Sequence, residues 1–169
     1  MSILPIVQFP DPMLRRPCTP VTAFDTALRR LAADMLETMY AAPGRGLAGP
    51  QVAVPRRLFV MDCTWKEGTP SPRVCVNPEI LATSDTLVVQ TEGCLSMPGV
   101  PARVARPDWV VLRWTDLDGA RHQARMDGFE AVCAQHELDH LNGRLCIDLM
   151  PEDARLAVSP LLTALGTPS

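Results

Sequence analysis

The sequence predicts an α+β fold, and three observations lead to that prediction. An apolar stripe with helical spacing lies near the N-terminus, short strand-like runs fill the middle of the chain, and a second helical segment lies near the C-terminus. Strands grouped between helices favour an α+β fold over regular alternation of strand and helix. At 169 residues the chain is most simply one domain, residues 1–169, with room for a buried core.

The first helix is predicted from about Ala23 to Tyr40. Thr22 and Asp25 are spaced like a capping box at its start, and Pro43-Gly44 ends it. One face carries apolar residues at helical spacing, namely Phe24, Leu28, Leu31, Met35 and Met39.

Four strand-like runs follow this helix, and a hairpin closes the series. The runs are "RLFVMD" from Arg57, "RVCVNP" from Arg73, "TLVVQTEG" from Thr86 and "DWVVLRW" from Asp108. Asp118-Gly119 predicts a hairpin turn into "ARHQARM". The last helix is predicted from about Gly128 to Asn142, with Gly143 as its C-terminal cap.

The composition indicates a soluble, cytoplasmic protein. The chain is 47% hydrophobic and 21% charged, with a net charge of −3 and scattered basic residues, so no nucleic-acid partner is predicted. No apolar run approaches the length of a membrane span, and the N-terminus lacks the features of a signal peptide. The chain has six cysteines and no CxxC pair; most are expected to be reduced and buried, and one or two could be metal ligands.

The segment "GRGLAG", Gly44 to Gly49, matches the G-x-G-x-x-G pattern of dinucleotide-binding proteins. That pattern binds a pyrophosphate only when a strand leads into it and a helix follows it. Here a helix leads in, and Pro50 follows immediately. We therefore expect a tight loop where another group approaches the backbone closely, rather than a nucleotide site.

The segment "CAQHELDH" contains the chemistry that decides the class of protein. His136 and His140 are four residues apart on a predicted helix, so both imidazoles project from one face and can share a metal. Glu137 can then act as general base on a water, as in other H-E-x-x-H sites. Asp139 is either an acceptor for an imidazole N–H or a plain surface acid.

The third metal ligand has two candidates. Cys146 stands where the metzincin spacing H-E-x-x-H-x-x-G-x-x-H would have a third histidine, which favours a metalloprotease. Cys94 lies after a predicted strand in "QTEGCLSMPG" and could face the helix across a cleft. Spacing alone leaves both cysteines open.

Three separated motifs resemble those of the peptide deformylase family: "GRGLAGPQ", "EGCLS" and "HELDH". The N-terminal segment "ILPIVQFPDPMLRRPCTPV" is also similar to the start of the family, and the resemblance fades after about Pro151. It implies small mixed or antiparallel sheets packed around a central C-terminal helix that carries the H-E-x-x-H motif. It also implies a hydrolase that removes the formyl group from N-formylmethionyl nascent peptides near the ribosome.

The resemblance assigns roles residue by residue. The implied metal ligands are Cys94, His136 and His140, and the implied ion is Fe²⁺, with Zn²⁺, Ni²⁺ or Co²⁺ as substitutes. The implied catalytic groups are the Glu137 carboxylate, the Gln51 amide and the Leu95 backbone N–H. The implied substrate-binding residues are Arg45, Gly46, Gly93, Val132 and Cys133.

The chain departs from the family pattern at three positions. Arg45 replaces an aliphatic residue, Gly49 replaces an alanine, and Pro101 stands where many members carry a peptide-binding arginine. Arg103 and Arg106 are the nearest arginines that could substitute for it. Two alternative functions stay open: a metalloprotease with Cys146 as ligand, and a module that binds formylated or other N-termini without turnover.

Overall fold

A computed structural model describes residues 1–167 of the chain. The helices are α1 (Thr26–Ala41), α2 (Gly128–Leu141) and α3 (Glu152–Leu165). The strands are β1 (Gly46–Ala48), β2 (Leu58–Met61), β3 (Arg73–Thr83), β4 (Leu87–Cys94), β5 (Met97–Pro107), β6 (Trp109–Thr115) and β7 (Arg121–Asp127). Short 3₁₀ turns occupy Pro12–Arg15, Gly49–Val52, Trp65–Glu67 and Cys146–Leu149.

The strands form two antiparallel sheets, which confirms the α+β prediction. The larger sheet has the order β1-β2-β3-β6-β7, and β4 pairs with β5 in a separate two-stranded sheet. Each strand pair in both sheets is antiparallel, so of the two predicted arrangements, mixed or antiparallel, the antiparallel one is found. The hairpin predicted at Asp118-Gly119 joins β6 to β7.

Strand β2 shows how the larger sheet is buried on both faces. Its side chains alternate, as the pleat requires. Phe59 and Met61 pack in the cluster that contains α2, whereas Leu58 and Val60 pack in the cluster that contains α1. Helix α2 therefore lies against one face of the sheet and α1 against the other. Because α2 also contacts β5, it is the central helix that was predicted.

The start of α1 differs from its prediction. The helix begins at Thr26 rather than Ala23, and Asp25 is its N-cap, with the side chain accepting a hydrogen bond from the Leu28 N–H at 2.9 Å. The predicted pairing with Thr22 is wrong, since a single Asp cap already satisfies a backbone donor of the first turn.

The end of α2 is close to the prediction. The helix ends at Leu141, and Gly143 follows with a φ of 72°, the left-handed conformation of a helix-terminating glycine. A Cβ at this position would also lie 2.4 Å from the Arg15 carbonyl oxygen. Both the conformation and the contact favour glycine here.

Three elements were not predicted from the sequence. Strand β1 forms within the expected Gly44–Gly49 loop, β5 follows the turn after β4, and α3 follows Pro151. Helix α3 packs on β5 in a third apolar cluster. The helix that was predicted to be the last, α2, is therefore followed by a further helix. None of the helices in residues 1–167 is long and apolar enough to cross a membrane.

Candidate metal centre

Three side chains that can bind a metal meet where β4 ends against α2. Cys94 is the last residue of β4, and His136 and His140 lie one turn apart on α2, facing it. The Nε2 atoms of the two histidines are 3.2 Å apart, and Cys94 Sγ lies 3.5 Å from His140 Nε2. All three side chains are buried. The structure therefore brings together the three residues that the family resemblance names.

These distances fit one tetrahedral ion. Bonds of about 2.0–2.1 Å to nitrogen and about 2.3 Å to sulfur would separate the nitrogens by about 3.3 Å and nitrogen from sulfur by about 3.6 Å. The observed separations of 3.2 Å and 3.5 Å lie close to both values. One thiolate and two imidazoles also form a donor set that divalent transition metals accept.

A buried carboxylate fixes the tautomer of His136. Glu92 Oε1 lies 2.8 Å from His136 Nδ1, and a carboxylate can only accept, so Nδ1 carries the proton and Nε2 keeps its lone pair. Burial alone would raise the pKa of Glu92, but hydrogen bonds from His136 and Arg106 outweigh it and hold this pKa below its usual range. Glu92 belongs to the "EGCLS" segment, but the motif alone did not predict its role.

Arg106 connects this carboxylate to a second one. Its guanidinium donates to Glu92 Oε1 at 2.9 Å and to Asp139 Oδ2 at 2.8 Å. Asp139 accepts from Arg106 and is largely buried, so among the described residues it is neither the imidazole acceptor nor the plain surface acid that the sequence left open. The arginine side chain is only 4% exposed, so the idea that Arg106 contacts peptide in place of Pro101 is also wrong. Arg103 is exposed.

Glu137 lies next to His136 in sequence and faces the cleft. It is buried, its Oε2 has no hydrogen-bond partner within residues 1–167, and burial raises its pKa to about 7. Gly46 of β1 passes directly over it: a Cβ on Gly46 would lie 2.4 Å from Glu137 Oε1. The expected close approach to the glycine-rich segment is therefore found, and the approaching group is Glu137.

Gln51 and Leu95 flank Cys94. The side-chain oxygen of Gln51, Oε1, accepts from the Ala48 N–H at 2.9 Å. The side-chain NH₂ group therefore faces Ser96 Oγ at 3.1 Å and Cys94 Sγ at 3.6 Å. Leu95 lies in the turn between β4 and β5, where Cys94 pairs with Met97. The described fold thus places one amide NH₂ and one turn backbone beside the candidate metal ligands.

A cleft of about 720 Å³ opens onto this centre. Its walls include every residue predicted to bind substrate: Arg45, Gly46, Gly93, Val132 and Cys133. An added Cβ on Gly93 meets no atom within 4 Å, so its backbone faces open space. Of the two α2 histidines, His136 lines the cleft.

Arg45 at the cleft mouth makes its contacts within the protein. Its guanidinium pairs with Glu67 at 2.8 Å, donates to the Cys63 carbonyl oxygen, and lies 5.2 Å from the centre of the Phe129 ring. Glu67 therefore partly neutralises the charge of the Arg45 guanidinium, which also stacks on the Phe129 ring. The sequence did not predict either contact.

Cys146 occupies a different place from the one a metalloprotease would require. It is 3% exposed. Its sulfur belongs to a possible ligand group with Glu92 and His136, not to the group that contains His136 and His140. Burial raises the pKa of its thiol to about 12, which favours the protonated form. Within residues 1–167, Cys94 is the only cysteine grouped with both histidines.

Comparison with known proteins places the chain in a family. The family model described as polypeptide deformylase matches residues 3–155. The chain belongs to the peptide deformylase family. The peptide deformylase of Afipia carboxidovorans is 51% identical over 150 residues, covering 89% of this chain and 88% of that protein. The peptide deformylase of Rhizobium meliloti is 47% identical over 148 residues, covering 88% of this chain and 85% of that protein.

Solved structures agree with this membership. A plant peptide deformylase superposes with a TM-score of 0.94 at 37% identity and covers 100% of this chain and 96% of its own. The peptide deformylase of Synechococcus elongatus, crystallised with actinonin, gives 0.91 at 38% identity, covering 99% of this chain and 90% of its own. The chain is therefore a hydrolase of a metal-dependent family, and its described residues include a group suited to hold a metal.

Proposed function

We propose that this protein hydrolyses the formyl group of N-formylmethionyl peptides, releasing formate and a free amine. The observation that carries the proposal is the Glu137 carboxylate on the wall of a cleft, beside three side chains that could hold a metal. It is buried, and one of its oxygens has no hydrogen-bond partner within residues 1–167. Such a carboxylate can move a proton between water and a leaving amine. Its substrates would be nascent peptides, encountered near the ribosome in the cytoplasm.

We propose Cys94, His136 and His140 as ligands of one divalent ion, with Fe²⁺ as the native metal. This donor set also suits Zn²⁺, Ni²⁺ or Co²⁺, and affinity alone does not choose among them. When bound, the ion supplies Lewis-acid chemistry: it lowers the pKa of water and polarises a carbonyl. With Fe²⁺ bound, aerobic incubation should lower the activity and oxidise Cys94. In the Zn²⁺-loaded protein Cys94 should stay reduced, and mass spectrometry measures its oxidation state in both cases.

Glu137 performs both proton transfers in the proposed mechanism. It removes a proton from the attacking water as the water oxygen bonds to the formyl carbon. It then gives that proton to the amide nitrogen as the C–N bond breaks, so the products are formate and the free N-terminus. Its burial and its position beside the glycine backbone of Gly46 hold the carboxylate in one place for both steps.

Gln51 and Leu95 are proposed to stabilise the negative charge that develops on the formyl oxygen. The Ala48 N–H holds the Gln51 amide by its carbonyl oxygen, so the NH₂ group faces the Cys94 side of the cleft. The Leu95 N–H, in the turn next to Cys94, is the second proposed donor. Donors fixed in advance lower the barrier without reorganising during the reaction.

The peptide is proposed to lie in the cleft as an extended strand. Arg45, Gly46 and Gly93 line the cleft and are proposed to offer main chain that an extended peptide can pair with. Val132 and Cys133, which precede His136 on α2, form the wall proposed to contact the methionine side chain.

Formate release from formyl-Met-Ala-Ser tests the function. We expect formate from the formyl peptide, no acetate from acetyl-Met-Ala-Ser at a comparable rate, and no internal cleavage of an unblocked peptide. Glu137→Gln should keep its metal and lose at least about 100-fold in kcat, because only the base is removed. Internal cleavage would instead indicate a metalloprotease, and tight binding of formyl peptide without formate would indicate a binding module.

A further inference from the structure

Two cysteines approach each other behind the proposed methionine wall. Cys63 comes two residues after the end of β2, and strand alternation places it on the same sheet face as Phe59 and Met61. That face packs against α2, and Cys63 contacts the apolar cluster that contains Cys133. Both cysteines therefore pack in the layer between the sheet and the helix.

The Arg45 carbonyl oxygen contacts the segments of both cysteines. Cys133 Sγ lies 3.5 Å from the Arg45 carbonyl oxygen, which also accepts from the Asp62 N–H at 2.9 Å. The Cys133 thiol thus reaches the β1–β2 ladder one residue from Cys63. The neighbouring Cys63 thiol, followed by burial, raises the pKa of Cys133 well above its usual value.

The two thiols face different spaces. Cys133 lines the main cleft, whereas Cys63 is half-buried and lines a separate cavity of about 120 Å³. Arg73 and Glu130, which pair with each other, line this second cavity as well. A small oxidant can therefore reach Cys63 without entering the peptide cleft.

We propose that Cys63 and Cys133 form a reversible disulfide when a hydroperoxide oxidises the protein. The Cys63 thiolate attacks one peroxide oxygen and breaks the O–O bond, giving a sulfenic acid and releasing water or an alcohol. The Cys133 sulfur then attacks the Cys63 sulfur and displaces hydroxide, which leaves as water with the Cys133 proton. The thiol pair loses two electrons, and the peroxide gains two.

The disulfide would change the substrate cleft without touching the three proposed ligands. The disulfide removes the thiol hydrogen that Cys133 donates to the Arg45 carbonyl oxygen. It also draws the Cys133 sulfur toward Cys63 and so changes the wall that is proposed to contact the methionine side chain. If the proposed function holds, KM for formylmethionyl peptides should rise severalfold and return to its original value on reduction.

Mass spectrometry tests the bond independently of activity. Zn²⁺-loaded protein is used, because zinc has no redox chemistry of its own. After hydrogen peroxide treatment and alkylation, trypsin gives residues 58–66 and 126–144, each with a single cysteine. We expect these two peptides joined with the loss of two hydrogens, and separated again by dithiothreitol.

Single substitutions identify the partners. Cys63→Ser should abolish the joined peptide and keep KM constant through the peroxide treatment, whereas Cys75→Ser should keep the link. Cys75 is the matched control because it is fully buried near Cys133 on the neighbouring strand β3. The proposal is overturned if peroxide oxidises Cys94 while 58–66 and 126–144 stay unlinked, or if Cys133 links to Cys75. A joined peptide without formate release would refute only the proposed function.

Discussion

Two arginine–glutamate pairs near the cleft differ in burial. We call the pair of Arg106 and Glu92, beside the candidate metal ligands, the back group, and the pair of Arg45 and Glu67 the mouth group. At the back, Arg106 and Glu92 are 4% and 5% exposed, and Asp139 completes the group. At the mouth, Arg45 and Glu67 are 26% and 56% exposed. Buried charges must be fully paired, whereas exposed ones are screened by water and contribute little.

This difference separates two kinds of function. The back group holds His136 through Glu92, so it controls the geometry of the proposed metal ligands. The mouth group lies where peptide would enter, so it can adjust preference but not the reaction. Substitutions at the back should therefore change metal binding and stability, and substitutions at the mouth should change only selectivity.

The largest effect is expected for the ligand at the back of the cleft. Cys94→Ala should abolish stoichiometric metal binding, because two imidazoles alone leave the site incomplete. Cys146→Ala is the matched control: it removes a buried thiol that does not group with both histidines, so the metal should remain. Metal analysis of the purified variants measures this, and loss of metal only from the Cys146 variant would refute the assignment.

The next effect concerns the buried ion pair. Arg106→Leu leaves Glu92 and Asp139 buried without their cation, which should cost about 3–5 kcal/mol of unfolding free energy. It should also weaken metal binding by about 10–100-fold, as loss of a group that orients a ligand does. Arg113→Leu, which breaks the exposed pair with Glu79, should cost only about 0–1 kcal/mol. Urea unfolding that showed equal losses would contradict the distinction.

The close approach of Gly46 to Glu137 gives an intermediate effect. Gly46→Ala places a methyl group where the Glu137 carboxylate lies, and the flexible end of that side chain must move. A shift of about 1 Å in a catalytic group can cost about 100-fold, so kcat should fall by about that factor. In Gly93→Ala the added methyl group would point into the open cleft, where the peptide is proposed to lie, so this substitution should raise KM rather than lower kcat. An unchanged kcat in the Gly46 variant would argue against Glu137 as base.

These contrasts also explain which parts of the site the sequence could predict. His136, Glu137 and His140 lie within one helical turn, so local spacing brought them together, and the "EGCLS" motif added Cys94 by family resemblance. The partner of Glu92 could not be predicted in this way. Arg106 lies 14 residues further along, and only the β4–β5 pairing and the packing of α2 bring the two side chains together.

Two of the three missed elements, β5 and α3, share a physical cause. Strand β5 contains Pro98, Gly99 and Pro101, which read as a loop, although a proline is tolerated where its missing N–H is not needed by a neighbouring strand. Helix α3 contains Pro160, which usually ends a helix. Tertiary packing of α3 on β5 outweighs that local preference. Strands with few breakers, such as β6 and β7, were predicted nearly in full.

The smallest effect is expected at the mouth. Arg45 should favour acidic over basic residues downstream of formylmethionine by at most several-fold, since exposed pairs contribute about 0.2–1 kcal/mol. Glu67→Gln frees the Arg45 charge and should increase this preference, while Arg45→Leu should remove it. Both effects should shrink with added salt. Equal kcat/KM for acidic and basic peptides in the Glu67 variant at low salt would leave Arg45 without a role in selectivity.

X-ray absorption at the metal edge of the Zn²⁺-loaded protein tests the central claim, that Cys94 and the two α2 histidines hold one ion. The expected spectrum contains one sulfur at about 2.3 Å and nitrogen or oxygen neighbours at about 2.0–2.1 Å. The sulfur signal should be unchanged in Cys146→Ser. A spectrum without sulfur, or one whose sulfur disappears in Cys146→Ser, would contradict the account.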